Sequence, residues 1–179
     1  MNKKINKNLA KIIKDLKILV CDVDGVLTQG DIIINEDGKE TKVFNVHDGL
    51  AINLAKENGI KIVWLSGREC PAASKRAGNL TINLLLQNIK HKDLEIQNIA
   101  EKFNCKTNEI AFIGDDLNDL CLVNKVGIFF AVHNAQTEIK KNADFILKNN
   151  GGEGAVAEAI YLILKIQNKY QKIIAKLKQ

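Results

Sequence analysis

The segment Cys21-Asp22-Val23-Asp24-Gly25-Val26-Leu27-Thr28 carries two carboxylates two positions apart, directly after the apolar run Ile18-Leu19-Val20. In extended chain, residues i and i+2 leave the same face, so Asp22 and Asp24 point together until Gly25 permits a sharp turn. Two carboxylates held that close repel each other unless a divalent cation sits beside them or one keeps its proton. Complementary groups recur further on: Ser66, Gly67 and Arg68 in one segment, Lys92 in a second, and Asp115, Asp116 and Asp119 in a third.

Together these residue types suit phosphoryl transfer. A phosphate monoester is a dianion, and a carboxylate nucleophile can approach it only if a cation or fixed donors offset the repulsion. Mg²⁺ held through a few carboxylates is the hard-ligand solution. Asp115 is placed to join Asp22 on such an ion, while Lys92 and the Ser66 hydroxyl hold the remaining phosphoryl oxygens. In-line attack by Asp22 then gives an aspartyl-phosphate. Asp24 gives its proton to the departing alkoxide and afterwards, as a carboxylate, activates the hydrolytic water. Arg68, at a strand end, can reach an anionic group of the substrate.

Each feature taken singly has a plainer account. Asp-Gly is a common turn, Ser66 is a polar strand terminus, Lys92 is one of 26 basic residues, and the acidic set can cap a helix. Their order on successive strand ends favours one site, because parallel strand ends converge on one edge of a sheet. His47, His91 and His133 lack metal or nucleophile spacing, and Cys21 reads as a small core residue.

The elements that must position these groups alternate. An amphipathic helix is expected from about Lys3 to Leu16, then the strand before Asp22. A β-hairpin follows at about 31–44, turning at Asp37-Gly38. A helix opens at His47-Asp48-Gly49 and stops at Asn58-Gly59. Strands Ile60 to Leu65, Ile82 to Leu86, Ile110 to Gly114 and Gly127 to Val132 follow, with a sixth at Asp144 to Leu147. Between them fall helices at Pro71 to Ala77, from Lys92 to Phe103, and near Leu120 to Asn124. The glycine-rich link 151–154 leads into one closing helix at about 153–177. Strand and helix in alternation imply an α/β, Rossmann-like, doubly wound parallel sheet, in one domain spanning 1–179.

The 179 residues suffice for one domain with a real core. A net charge of +5 gathers at the two ends, from Asn2 to Lys17 and from Lys165 to Lys178, where lysines alternate with apolar residues as on solvated helix faces. With no arginine and Tyr170 as the one interleaved aromatic, these ends do not suggest nucleic acid. The four cysteines form no CxxC pair, and no apolar run approaches a membrane span or signal peptide, so a cytoplasmic protein is expected.

At this point the motifs Asp22-Val23-Asp24-Gly25-Val26-Leu27-Thr28, Leu65-Ser66-Gly67-Arg68, Lys92 and Gly114-Asp115-Asp116-Leu117-Asn118-Asp119 resemble the four motifs of the haloacid dehalogenase superfamily. An aspartate at the position of Asp24 marks the phosphatases and mutases of that superfamily. The hairpin in place of a cap, the segment from Lys42 to Ile52 and the tail from Gly151 to Glu158 are similar to its capless branch, which contains the 3-deoxy-D-manno-octulosonate 8-phosphate phosphatases.

The resemblance implies a Mg²⁺-dependent phosphatase of a sugar-acid phosphate, with nonulosonate 9-phosphates or a broader range as the alternative. It implies metal ligation by Asp22, Asp115 and the Asp24 backbone carbonyl, and substrate contacts from Thr28, Gly67 and Arg68. It further implies a homotetramer in which a neighbour's hairpin and tail help close the site. Two positions depart from the branch, His47 and Ala157, where arginines are usual and would lie near the substrate carboxylate or its entrance. From a different class, a response-regulator receiver or a non-catalytic partner of a cytidylyltransferase would also place acidic groups and a lysine on a parallel sheet. Receivers, however, take the phosphoryl group on a later strand and have no need of Asp24.

Overall fold

The computed structural model describes residues 5–179, so the expected start of the first helix and the lysines of residues 1–4 lie outside it. Helix α1 (Lys7–Asp15) is capped by Asn6, whose side chain accepts the Leu9 N–H at 2.9 Å. Strand β1 (Ile18–Cys21) is buried at every position. The hairpin β2 (Ile33–Ile34) and β3 (Glu40–Thr41) stands apart, paired antiparallel and turned at Gly38 with φ +76°. Then come α2 (Val46–Glu57), β4 (Lys61–Leu65), α3 (Pro71–Asn79), β5 (Leu84–Leu86) and α4 (Lys92–Lys102). The second half contains β6 (Ile110–Gly114), β7 (Ile128–Ala131), α5 (Thr137–Asn142), β8 (Phe145–Ile146), α6 (Ala155–Ile166) and α7 (Tyr170–Leu177).

Six strands form one parallel sheet in the order β5-β4-β1-β6-β7-β8. From β1 the chain winds outward to β5, then crosses back to β6 on the other side of β1. That reversal opens a crevice beyond the carboxyl ends of β1 and β6, the usual ligand site of open α/β sheets. The fully buried strands β1, β6 and β7 are apolar throughout because both sheet faces are covered. Trp64, Phe112, Phe129 and Phe130 are the largest side chains in this core. Each such burial contributes about 1.5–3 kcal/mol, so the rigid centre of the sheet lies directly beneath the crevice.

Three local expectations are corrected, and one helix is new. The single closing helix is two, α6 and α7, separated at 167–169, where Asn168 adopts φ +58°. Asparagine tolerates this left-handed conformation, and the Gln167 amide leaves the helix to donate to the carbonyls of Ile13 and Leu16 at 3.1 and 2.9 Å. The helix expected near Leu120 to Asn124 is a 3₁₀ stretch, Leu117–Leu122, started by the Asp116 carboxylate accepting the Leu117 N–H at 2.7 Å. Strand β5 is shorter than Ile82 to Leu86, since Thr81 at φ +47° keeps the chain turning. Helix α5 was not anticipated; its polar sequence Thr-Glu-Ile-Lys-Lys-Asn buries only Ile139.

Candidate active site

Asp22 directly follows β1, and its backbone N–H donates to the Ile113 carbonyl of β6 at 3.1 Å, extending the parallel ladder to the crevice itself. The chain then turns at Gly25 with φ +83°. A Cβ there would stand 2.0 Å from Asp115 Oδ2, so this glycine admits the second acidic loop to the first. Thr28 holds the turn closed: its hydroxyl donates to the Val23 carbonyl at 3.4 Å and accepts the N–H groups of Gly25 and Gly30 at 3.4 and 3.3 Å.

The tail packs over this turn from outside. Gly152 N–H donates to the Val26 carbonyl at 2.9 Å, and the Asn45 amide to the Gly152 carbonyl at 3.3 Å. Gly151 lies so near that a Cβ would fall 1.7 Å from the Gly25 carbonyl oxygen.

Lys92, the first residue of α4, is buried with its ammonium 3.0 Å from Asp22 Oδ1 and 2.7 Å from Asp119 Oδ1. Asp119 is fully buried and uses its other oxygen to accept the Asp115 N–H at 3.1 Å. One lysine thus ties both acidic loops together across the β1/β6 boundary. Asp22, Asp115 and Asp119 bring ligand atoms within 4.8 Å of one another. Burial first, then the charge of Asp119, pushes Asp22 up to about 7 against the pull of Lys92. Burial and the charges of Asp22 and Asp119 push Asp115 up to about 8. Burial works against the Lys92 ammonium, yet the two carboxylates hold it above its ordinary value.

The cluster is therefore short of positive charge. Asp115 Oδ1 is buried without a hydrogen-bond partner among the described residues. A buried carboxylate oxygen without a donor is costly, and a hard divalent cation is the group that a set of clustered carboxylates fits.

A cleft of about 250 Å³ opens above, lined by Asp22, Asp24, Ser66, Gly67, Arg68 and Asp115 among others. Ser66 is buried and its hydroxyl accepts the Arg68 N–H at 3.1 Å. The candidate residues thus meet, while Thr28, His47 and Ala157 lie outside the cleft lining. Thr28 is not among the residues that line the cleft; its hydroxyl makes its hydrogen bonds within its own turn, where it shapes the loop. His47 and Ala157 lie elsewhere in this chain, lining a separate groove of about 630 Å³ between the starts of α2 and α6.

Lys42 was not singled out from the sequence. Its side chain is 1% exposed and its ammonium contacts Asp24 Oδ1 and, at 2.8 Å, Glu40 Oε1. The signal was present in the alternation Glu40-Thr41-Lys42-Val43-Phe44, where Glu40, Lys42 and Phe44 share a face. Phe44 stacks on Trp64 at 5.8 Å, turning that face inward. Asp48 was also passed over. It is buried at the start of α2, its Oδ1 accepts the Ala157 N–H at 2.7 Å, and burial raises it to about 6.

Residues 85–160 match the model of the haloacid dehalogenase-like hydrolases. The chain is 35% identical over 156 residues to the 3-deoxy-D-manno-octulosonate 8-phosphate phosphatase KdsC of Escherichia coli K12, covering 87% of this chain and 83% of that one. The crystal structure of the corresponding phosphatase of Moraxella catarrhalis, in complex with a magnesium ion, a phosphate ion and KDO, superimposes with a TM-score of 0.93 at 35% identity, covering 97% of this chain and 99% of that one. The cobalt-bound phosphatase of Haemophilus influenzae gives 0.86 at 33% identity, over 89% and 93%. With its acidic pair, lysine and second acidic loop gathered on one crevice, the chain belongs to the haloacid dehalogenase-like hydrolases, in the group of the 3-deoxy-D-manno-octulosonate 8-phosphate phosphatases.

Proposed function

We propose that this hydrolase removes phosphate from 3-deoxy-D-manno-octulosonate 8-phosphate through an aspartyl-phosphate on Asp22. The observation that carries the reading is the Asp22–Lys92–Asp119–Asp115 cluster at the floor of a cleft walled by Asp24, Ser66 and Arg68. The magnesium, phosphate and KDO bound to the Moraxella catarrhalis relative support the same assignment.

Asp22, Asp115 and the Asp24 carbonyl are the residues that would hold Mg²⁺, which when bound supplies the positive charge that a dianionic phosphate and a carboxylate nucleophile together require. The remaining work falls to the chain. Lys92 holds Asp22 Oδ1 from one side, so the carboxylate is oriented before substrate arrives. The Ser66 hydroxyl and Lys92 receive phosphoryl oxygens. Lys42 occupies Asp24 Oδ1, which leaves the other oxygen of Asp24 to face the leaving group and then the attacking water.

Exposed Ile32, Ile33, Ile34, Val43 and Val46 on and beside the hairpin fit burial in the proposed homotetramer. No described helix is long and apolar enough to cross a membrane; a cytoplasmic site of action is part of the proposal. A nonulosonate 9-phosphate, or a broader range of phosphates, is the second reading, left open by His47 and Ala157 at positions where the resemblance leads one to expect arginines.

The test is phosphate release from the eight-carbon and nine-carbon acid phosphates and from simple esters, with Mg²⁺ or chelator, for the wild type and Asp22→Asn. Metal-dependent release concentrated on the eight-carbon acid and lost in the variant is the expected result. Preference for the nine-carbon acid selects the second reading, and no release from any ester by a folded wild type overturns both.

A further inference from the structure

Arg68 is the cleft residue placed to meet a substrate carboxylate, yet its side chain is 43% exposed and long. A free arginine there samples many rotamers, and fixing one costs binding free energy. The hairpin supplies what fixes it. Glu40 Oε2 stands 2.7 Å from Arg68 Nη2, while Glu40 Oε1 stands 2.8 Å from the buried Lys42 ammonium. Lys42 in turn contacts Asp24. Four groups of alternating charge therefore run from Asp24 through Lys42 and Glu40 to Arg68, beginning and ending on residues that line the cleft.

We propose that Glu40 is the positioning residue that aims Arg68 at the carboxylate of the substrate, so that selection of acid sugars over neutral ones depends on the hairpin as well as on the arginine. This deepens the sugar-acid reading above and rests on it. A guanidinium has five N–H donors in a planar fork, and Glu40 engages one nitrogen from the hairpin side. The rest of the fork is left for a second carboxylate on the cleft side. Glu40 can serve as a fixed post because Lys42 anchors it from behind. Hydrogen bonding from Lys42, then the nearby Arg68 charge, holds its carboxyl below the ordinary range despite partial burial, so it stays ionised at neutral pH.

The experiment compares two alkyl esters, a sugar-acid phosphate and a neutral sugar phosphate, which has no carboxylate and leaves as a similar alkoxide, across the wild type, Glu40→Gln, Arg68→Met and the double variant. The readout is the ratio of kcat/KM for the two esters. Any effect on phosphoryl transfer relayed through Lys42 and Asp24 acts on both and cancels in that ratio. Glu40→Gln should lower the ratio about tenfold, the factor expected from about 1.4 kcal/mol of lost side-chain preorganisation, chiefly through KM for the acid. In the Arg68→Met background the same change should leave the ratio where Arg68→Met alone put it.

An unchanged ratio in Glu40→Gln, beside a wild type that prefers the acid, overturns the positioning role and leaves the substrate reading intact. So does an equal loss in both backgrounds. A wild type with phosphatase activity but no preference for the acid removes the substrate reading and the proposal with it.

Discussion

Replacing Lys92 by methionine keeps most of the side-chain volume and deletes the ammonium that Asp22 and Asp119 share. Both carboxylates are buried, at 3.0 and 2.7 Å from that ammonium. Removing one partner of a buried ion pair typically costs about 3–5 kcal/mol, because the charge left behind has no compensation. For a chain of this size that corresponds to a fall in Tm of roughly 6–20 °C.

The cost should depend on pH in a definite direction. Burial and Asp119 already lift Asp22 to about 7 against the pull of Lys92, and without the lysine it rises further, as does Asp119. A carboxyl whose folded pKa lies above its unfolded value favours the fold while it stays protonated and loses that contribution as pH climbs through the folded value. The variant should therefore lie closest to wild type at about pH 5 and fall behind progressively up to about pH 8.5. Urea unfolding in chelator at both pH values measures the difference. A deficit below about 1 kcal/mol at high pH, or one that grows on acidification, would refute the assignment of Lys92 as counter-charge to the pair.

Three further outcomes follow from the geometry. Gly25→Ala forces a Cβ against Asp115 Oδ2 at a positive φ, so kcat should fall about 100-fold through misplacement of the acidic loop, as read by steady-state kinetics. Mg²⁺ at 100 times its Kd should raise Tm by about 5–10 °C, corresponding to about 2.7 kcal/mol, and the gain should disappear in Asp115→Asn. Asp48→Asn keeps an oxygen for the Ala157 N–H and removes a carboxyl that burial raises to about 6. Since that penalty grows as pH rises from the unfolded value through 6, the variant should gain up to about 3 kcal/mol at pH 8 and little at pH 4 in chemical denaturation.

The parts of the site written as local pattern were legible in the sequence. Apolar runs ending in acidic residues located β1 and β6, and the two-residue spacing put Asp22 and Asp24 on one face. Lys92 at the start of α4 also followed from pattern. The rest depends on contacts between residues distant in sequence. Lys42 shares its face with Phe44, but only the stacking of Phe44 on Trp64 turns that face toward Asp24. Thr28 occupies the right stretch to touch a ligand, yet its hydroxyl is taken up within its own turn, a choice that backbone geometry makes. His47 and Ala157 meet in a groove because α2 packs on α6, which no periodicity reveals. The break at Asn168 escaped notice because the apolar spacing of α6 resumes in α7, while the interruption is set by Gln167 reaching α1.

The close fit of Gly151 and Gly152 over the Gly25 turn bears on how the protein acquires activity during folding. Asp22 directly follows the first sheet strand to be synthesised, whereas its outer support at Gly151 and Gly152 arrives some 125 positions later. Contacts of such long sequence separation are slow to form. A refolding chain can complete its central strands, and show their spectroscopic signature, while the Asp22 loop still lacks its cover. Recovery of catalysis should then trail recovery of sheet, and a ribosome-bound chain should stay inert until its final helices have emerged.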